Sequence, residues 1–186
     1  MSTDITIRRV RAEEWQPLRD IRLDALQDPV AAIAFLETHE QAAARPDEFW
    51  QDRTTTAATA PHVAQFIAEA ADGRWLGSMT ALVERAGGDG ALEGDVVEVD
   101  QAHVVGVYVR PEARGTGLAL ELIRTVRDWA WSLTEPRVER VRLFVHEDNA
   151  RAEAMYRKAG FEPTGVVLSV PGGPGGREVE LAVRRG

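Results

Sequence analysis

The fold is decided by the stretch Val107-Tyr108-Val109-Arg110-Pro111-Glu112-Ala113-Arg114-Gly115-Thr116-Gly117-Leu118-Ala119. A valine-rich strand stops at a proline, and a turn with two glycines leads directly into a helix. Glycines accept positive φ and let backbone N–H groups approach a ligand, while a helix N-terminus offers unpaired donors and a partial positive charge. Because Arg114 adds a full charge, the stretch predicts a site for a phosphate or pyrophosphate.

Two better-known phosphate loops do not fit this stretch. A dinucleotide fingerprint needs three glycines after an early strand, and a P-loop needs a lysine and a hydroxyl after its last glycine. Here Leu118 and Ala119 follow Gly117 instead. A turn that is only structural stays open as the alternative at this point, since short glycine motifs are weak evidence.

The rest of the chain predicts alternating strands and helices. The strands, read from apolar alternation or valine-rich runs, are 5–8, 63–68, 74–83, 102–109, 140–145, 164–170 and 177–183. The helices are 15–26, one from Pro46 onward, one from Leu118 to Leu133, and 150–159. A loop or broken helix is expected at 31–45, a solvated acidic loop at 84–100, and a flexible hairpin tip at 171–176.

This order predicts an α/β fold with one central mixed sheet of about seven strands, flanked by about four helices. The length of 186 residues fits a single domain over residues 1–186, and 44% hydrophobic residues can build its core. Neither a linker nor an internal repeat interrupts the pattern.

Composition excludes several classes of function. A net charge of −8 argues against binding nucleic acid or an anionic membrane through bulk charge. No cysteine is present, which removes disulfides, thiolate metal sites and a cysteine acyl-enzyme; no metal is expected. No apolar run reaches the roughly 18 residues that span a bilayer, and the N-terminus does not resemble a signal peptide. The sequence therefore predicts a cytoplasmic protein that does not bind a membrane.

A second motif follows at 149–161, where Asn149 is a good N-cap, Tyr156 lies two turns along a helix, and Gly160-Phe161 closes it. With Arg114 to Ala119, which match the pattern arginine-x-x-glycine-x-alanine, this segment resembles the acetyl-coenzyme A motifs of the GNAT superfamily of N-acetyltransferases. The resemblance covers most of the chain, since the order of elements also fits.

The resemblance implies a binding site for acetyl-coenzyme A as co-substrate. Its pyrophosphate would be held by six consecutive residues: Arg114, Gly115, Thr116, Gly117, Leu118 and Ala119. Its pantetheine arm would bind the backbone of Val107, Tyr108 and Val109 in a strand that splays from the next one, and Gly106 marks a bulge there. Asn149 would contact the arm, and Tyr156 would lie near the thioester sulfur.

The implied reaction is direct attack of a primary amine on the thioester in a ternary complex. Tyr156 is the predicted proton donor to the thiolate, because its hydroxyl stays protonated at pH 7. Glu98 is the first candidate for the base, with Asp100 and His103 as neighbours and Glu37 behind them. A structural, hydrogen-bonded histidine is the alternative for His103, and a core aromatic for Tyr156.

Two other classes of function stay open in the sequence. One is a GNAT-fold sensor that binds acyl-coenzyme A without turnover, and the other is an interaction scaffold. The acceptor, whether small molecule, peptide or protein, would be chosen by the segments 31–45 and 84–100; the latter holds six acids and one arginine, which suits either solvation or a cationic amine. Homodimers are common in the family, but no apolar surface in the sequence indicates one.

Overall fold

The structure, a computed structural model, describes residues 4–90, 94–170 and 175–186. Seven strands form one sheet in the order β1-β2-β3-β4-β5-β7-β6. The strands are β1 Ile5–Arg9, β2 Val63–Ala70, β3 Trp75–Glu84, β4 Gln101–Val109, β5 Arg140–His146, β6 Glu162–Leu168 and β7 Glu178–Arg184. Only the β4–β5 pair is parallel, so the sheet is mixed and the predicted fold class is confirmed.

Six α-helices lie in the described residues, which is two more than predicted. They are α1 Trp15–Leu26, α2 Ala31–Ala34, α3 His39–Ala43, α4 Asp47–Thr59, α5 Leu118–Ser132 and α6 Ala150–Lys158, with a 3-10 turn at Pro111–Ala113. The extra two, α2 and α3, divide the segment 31–45, so a broken helix is the correct description. Thr38 starts α3 with a capping box, in which Thr38 and Gln41 each satisfy the other's backbone N–H.

Helices cover both faces of the sheet. On one face α5 packs its apolar stripe, as predicted from its spacing, against β3 and β4 through Leu122, Ile123, Val126 and Ala130. On the other face α1 and α4 pack around Trp50 and meet Ile67, Trp75 and Tyr108 of the sheet. Since each face has its own apolar layer, β4 lies between two cores, as its valine-rich sequence predicts.

The acidic segment differs from its prediction. Glu84 is the last residue of β3 and is buried, and the side chain of Asp95 is also hidden from solvent. Both carboxylates pair with a buried arginine, so they are not solvated. The many acids of this segment predict a solvated loop, because their buried ion-pair partner, Arg142, lies far along the chain and the contact is not visible in the sequence.

The C-terminal hairpin is shifted by one or two residues from its prediction. Strand β6 begins at Glu162 and is almost wholly exposed at the edge of the sheet, and β7 begins at Glu178. Of the predicted tip, residues 171–174 lie outside the described residues, and Gly175 and Gly176 both have positive φ. No helix within 4–90, 94–170 and 175–186 has the length and apolar character needed to cross a membrane.

Candidate active site

A gap between β4 and β5 forms the site. The two strands pair over only three residues each, ending at His103 and Arg142, although β4 continues to Val109 and β5 to His146. Backbone groups alternate sides along a strand, so the groups of β4 that face the gap have lost their strand partners. The gap opens into a cavity of about 820 Å³.

Strand β4 has a bulge beside the gap. The β3 register jumps from Ser78, opposite Tyr108, to Thr80, opposite Val105, so that β4 has one extra residue. Gly106 lies in this bulge with φ of 62°, a conformation that favours glycine. The predicted bulge at Gly106 is therefore confirmed.

The glycine turn forms a row of free backbone donors. Gly115 and Gly117 have φ of 77° and 92°, and α5 begins directly after Gly117. Within the part of the chain that the structure describes, nothing accepts a hydrogen bond from the N–H groups of residues 115–119. Five adjacent free donors at the positive end of a long helix form an anion cradle.

The side chains of this turn have different roles. Gly115, Gly117 and Ala119 line the cavity, whereas Leu118 packs in the core and the Thr116 hydroxyl donates to the carbonyl of Ala113 at 2.7 Å. Thr116 and Leu118 can therefore contribute only backbone groups to a bound anion.

Arg114 lies at the cavity edge and is already paired. Its Nε donates to the carbonyl of Val109 at 2.8 Å, and its Nη2 contacts the carboxylate of Asp28, whose side chain is 3% exposed. Burial by itself would raise the pKa of Asp28, but the hydrogen bonds from Arg114 and from the N–H of Val30, together with the charges of Arg114 and Arg151, lower that pKa overall. Arg151 lines the cavity as a second cation near Asp28.

Helix α6 brings Asn149 and Tyr156 to the same cavity. Asn149 caps the helix by accepting from the N–H of Ala152 at 3.3 Å, and it also lines the cavity, so both of its predicted roles are compatible. Tyr156 is 5% exposed and packs on Phe161. Burial raises the pKa of Tyr156, so its hydroxyl is protonated at neutral pH.

His103 reaches the cavity from the opposite face of the sheet. Its neighbours Ala102 and Val104 belong to the core under α5, so strand alternation directs His103 to the face covered by α1 and α4. Its Nδ1 lies 3.0 Å from Oε1 of Glu84, and its ring packs edge-on against Phe144 at a centroid distance of 5.5 Å. Because an ionised carboxylate only accepts, Nδ1 carries the proton, and a neutral His103 has a free electron pair on Nε2.

A buried ion network holds Glu84 in place. Arg142, which is fully buried, donates to Glu84 at 2.6 Å, to Asp95 at 2.5 Å and to Glu180 at 2.9 Å. Burial by itself would raise the pKa of Glu84, but His103 and Arg142 together lower that pKa to about 2. The same three carboxylates raise the pKa of Arg142 against the effect of its burial. Glu84 is therefore an anion throughout the neutral range.

The other base candidates are less well placed. Glu98, the first choice from sequence, is exposed before β4 begins and does not line the cavity. Asp100 accepts from the N–H of Ala86 at 3.0 Å and serves a turn. Glu37 lines the cavity but is paired with arginines. The sequence predicts Glu98 in or just before the central strand, and β4 begins at Gln101, so Glu98 precedes the strand.

Sequence reasoning missed Glu84, Arg142 and Glu178. Glu178 lines the cavity, is partly buried, and has a pKa that burial raises. One signal was present: Arg140 and Arg142 alternate with apolar residues in a strand between two others, and arginines there require buried anionic partners.

The mixed sheet, the gap beside its parallel pair and the anion cradle at the start of α5 define a class of proteins that bind an acyl-coenzyme A and transfer its acyl group. The model of the Acetyltransferase (GNAT) family matches residues 15–161. The chain belongs to this family.

Comparisons with individual proteins agree with this assignment. The chain is 39% identical over 84 residues to a mycothiol acetyltransferase of Beutenbergia cavernae, a match that covers 42% of this chain. It spans only 27% of the length of that curated relative. A GNAT-family acetyltransferase of Streptococcus pneumoniae has the same fold, with a TM-score of 0.74 at 14% identity over 98% of this chain and 100% of the other. The PaiA N-acetyltransferase of Thermoplasma acidophilum, in complex with coenzyme A, gives a TM-score of 0.69 at 16% identity over 98% and 99% of the two chains.

Proposed function

We propose that this protein transfers the acetyl group of acetyl-coenzyme A to a primary amine of a small molecule or peptide, by direct attack in a ternary complex within one domain. The observation that carries the proposal is that a single cavity joins Gly117 of the anion cradle to His103 on the opposite face of the sheet. A thioester placed in the gap would meet a pyrophosphate site on one side and a base on the other.

Binding of the cofactor follows from the free backbone groups. The pyrophosphate would accept from the N–H groups of residues 115–119, with Arg114 and Arg151 as nearby cations. The pantetheine arm would lie along Val107 to Val109, where β5 no longer pairs with β4. Asn149 would contact the arm from the other wall of the cavity.

The chemical step uses three groups of this chain. His103 Nε2 takes a proton from the acceptor ammonium, and the neutral amine nitrogen then attacks the carbonyl carbon of the thioester. Backbone N–H groups of β4 at the bulge donate to the resulting oxyanion. When the intermediate collapses, the C–S bond breaks and Tyr156 gives its hydroxyl proton to the thiolate; the acetylated amine loses its second proton to solvent.

Glu84 acts through His103. Its carboxylate holds the proton on Nδ1, so that Nε2 is the basic nitrogen, and its negative charge stabilises the imidazolium that forms. Since no cysteine is present, the acetyl group has no enzyme thiol on which to stop, and the only sulfur in the step is that of coenzyme A.

A thiol-release assay with Tyr156→Phe tests the proposal. We expect turnover at saturating acetyl-coenzyme A to fall roughly 100-fold, within the range for one general acid. Binding should persist, and a ligand at about 100 times its Kd raises the free energy of unfolding by roughly 2.7 kcal/mol. Unchanged turnover would remove Tyr156 from the mechanism. Cofactor binding without turnover on any amine would identify a sensor, and no thermal shift at millimolar cofactor would contradict the cofactor site itself.

A further inference from the structure

A group of arginines surrounds one carboxylate on the α1/α4 side of the cavity. This arginine cluster consists of Arg22 on α1, Arg45 after α3, Arg53 on α4, and Glu37 between them. Arg22 Nη2 lies 3.1 Å from Glu37 Oε2, and Arg45 Nε lies 3.7 Å from Glu37 Oε1. Arg22, Arg53 and Glu37 line the cavity.

The arginine cluster has an excess of positive charge. The cluster contains three guanidinium groups and one carboxylate, that of Glu37, which pairs with Arg22 and Arg45, so two positive charges are uncompensated within the cluster. Arg53 forms no ion pair with any residue in the described ranges and is exposed to the water of the cavity. Desolvation by the surrounding protein is the main cause that lowers the pKa of Arg53, and the nearby guanidinium of Arg22 lowers that pKa further.

Aromatic rings hold two of these guanidinium groups in place. Arg22 stacks over Phe35 at 4.7 Å from the ring centroid, and Arg45 stacks over Phe49 at 4.8 Å. A stacked guanidinium is already oriented before a ligand arrives, so it loses less conformational freedom on binding. The cluster is therefore organised as a receptor for an anion.

The arginine cluster is separate from the pyrophosphate cradle. Phe35 and Phe49 pack with the core under α1 and α4, the face to which His103 points, whereas the cradle belongs to α5 on the other face. The cradle also has its own cations, Arg114 and Arg151. An anion at the arginine cluster would then belong to the acceptor, on the side of the base.

We propose that the acceptor amine also carries an oxyanion, a carboxylate or a phosphate, and that Arg22 and Arg53 bind it. This inference rests on the proposed amine acetyltransferase function. Guanidinium groups bind both oxyanions through paired, charge-assisted hydrogen bonds. Within segment 84–100, Glu84 and Asp95 are buried against Arg142, so these two carboxylates are not available to attract a cationic amine.

The experiment compares acceptors in matched pairs. β-Alanine is compared with β-alaninamide for the carboxylate, and O-phosphoethanolamine with ethanolamine for the phosphate. In one of the two pairs we expect the wild-type kcat/KM to be at least 10-fold higher for the acidic amine than for the neutral amine. The pair that shows this preference identifies the oxyanion. The different pKa values of the paired amines cancel when the ratio of a variant is divided by the ratio of the wild type, and the wild-type ratio itself is calculated per neutral amine.

Substitutions of Arg22 and Arg53 test whether these residues cause the preference for the acidic amine. Arg53→Gln, at an exposed position, and Arg22→Gln should each lower the preferred pair's ratio roughly 10-fold, while the KM for acetyl-coenzyme A stays unchanged. Arg53→Glu should lower it further. The matched control is Arg124→Gln, which removes an exposed arginine of α5 that does not line the cavity and should leave the ratio unchanged.

Three results would overturn this inference and leave the proposed function intact. They are equal use of acidic and neutral amines by the wild type, a ratio that Arg53→Gln and Arg22→Gln do not alter, and a rise in the KM for acetyl-coenzyme A in those variants. If acetyl-coenzyme A binds but no amine of either pair, nor of a wider panel, is acetylated, the proposed function itself fails and this inference fails with it.

Discussion

The two sides of the cavity are built in different ways. The cradle side consists of backbone groups from one short stretch, with Gly106, Gly115 and Gly117 providing positive φ. The opposite side consists of charged side chains from separate segments, with Glu84 on β3, His103 on β4 and Arg142 on β5. A backbone site can be formed by any sequence that adopts the turn, whereas a side-chain site requires each of its interacting residues.

The two sides therefore suit different ligands. Free N–H groups at a helix start suit the pyrophosphate of one cofactor. Ion networks and the arginine cluster vary with single substitutions, so they suit the choice of acceptor. We expect substitutions of the charged side chains on the opposite side to have larger effects than substitutions on the cradle side.

The largest effect is expected on stability, from Arg142→Met. The change leaves the buried carboxylates of Glu84 and Glu180 without their common cation, and breaking a buried pair by removing one partner costs about 3–5 kcal/mol. Urea unfolding measures the loss. The control is Arg177→Met, which removes an arginine from an exposed pair with Glu147 and should leave the midpoint close to that of the wild type.

The same network predicts acid sensitivity. The pKa of Glu84 in the folded protein is about 2, below its ordinary value of 4.5, so the stabilisation is fully present above about pH 4.5. It is lost as the pH falls from there toward 2, because the unfolded state takes up the proton first. In Arg142→Met the loss of stability between about pH 4.5 and pH 2 should be smaller than in the wild type. An equal acid dependence in both proteins would show that Arg142 does not hold the carboxylate ionised.

The next largest effect is expected from His103→Gln. Loss of a general base should lower kcat/KM roughly 100-fold. Glu84→Gln should lower kcat/KM less, about 10-fold, because Nδ1 would lose its anionic partner while Nε2 remains.

Glu98→Gln is the matched control for the base. Glu98 is exposed and outside the cavity lining, so the variant should keep wild-type activity at every pH. A loss of activity in Glu98→Gln with none in His103→Gln would reverse the assignment. It would also show that the sequence-based choice was right despite the position of Glu98.

Sequence could predict the cradle side because its parts are contiguous. The valine strand, the two glycines and the helix stripe are all read within residues 107–133, and each obeys a local rule of periodicity or turn chemistry. The opposite side of the cavity could not be predicted in the same way. His103 was a candidate, but its partner Glu84 lies beyond a long loop, and Arg142 comes from a strand paired across the sheet. Such contacts depend on register, which a single sequence does not fix.

The smallest effect is expected from Asp28→Asn, on the cradle side. Asp28 is ionised at neutral pH and forms an ion pair with Arg114. Removing the charge of Asp28 should therefore free the guanidinium for the pyrophosphate. We expect the Kd for acetyl-coenzyme A, measured by calorimetry, to fall about 3-fold, which is a fraction of the effect of one charge-assisted hydrogen bond. Asp24→Asn, in the last turn of α1 shortly before Asp28, is the control, because Asp24 pairs with Arg110, which does not line the cavity. Weaker binding in Asp28→Asn would mean that Asp28 positions Arg114 for the cofactor, and the cradle would then depend on a side-chain pair in the same way as the acceptor side.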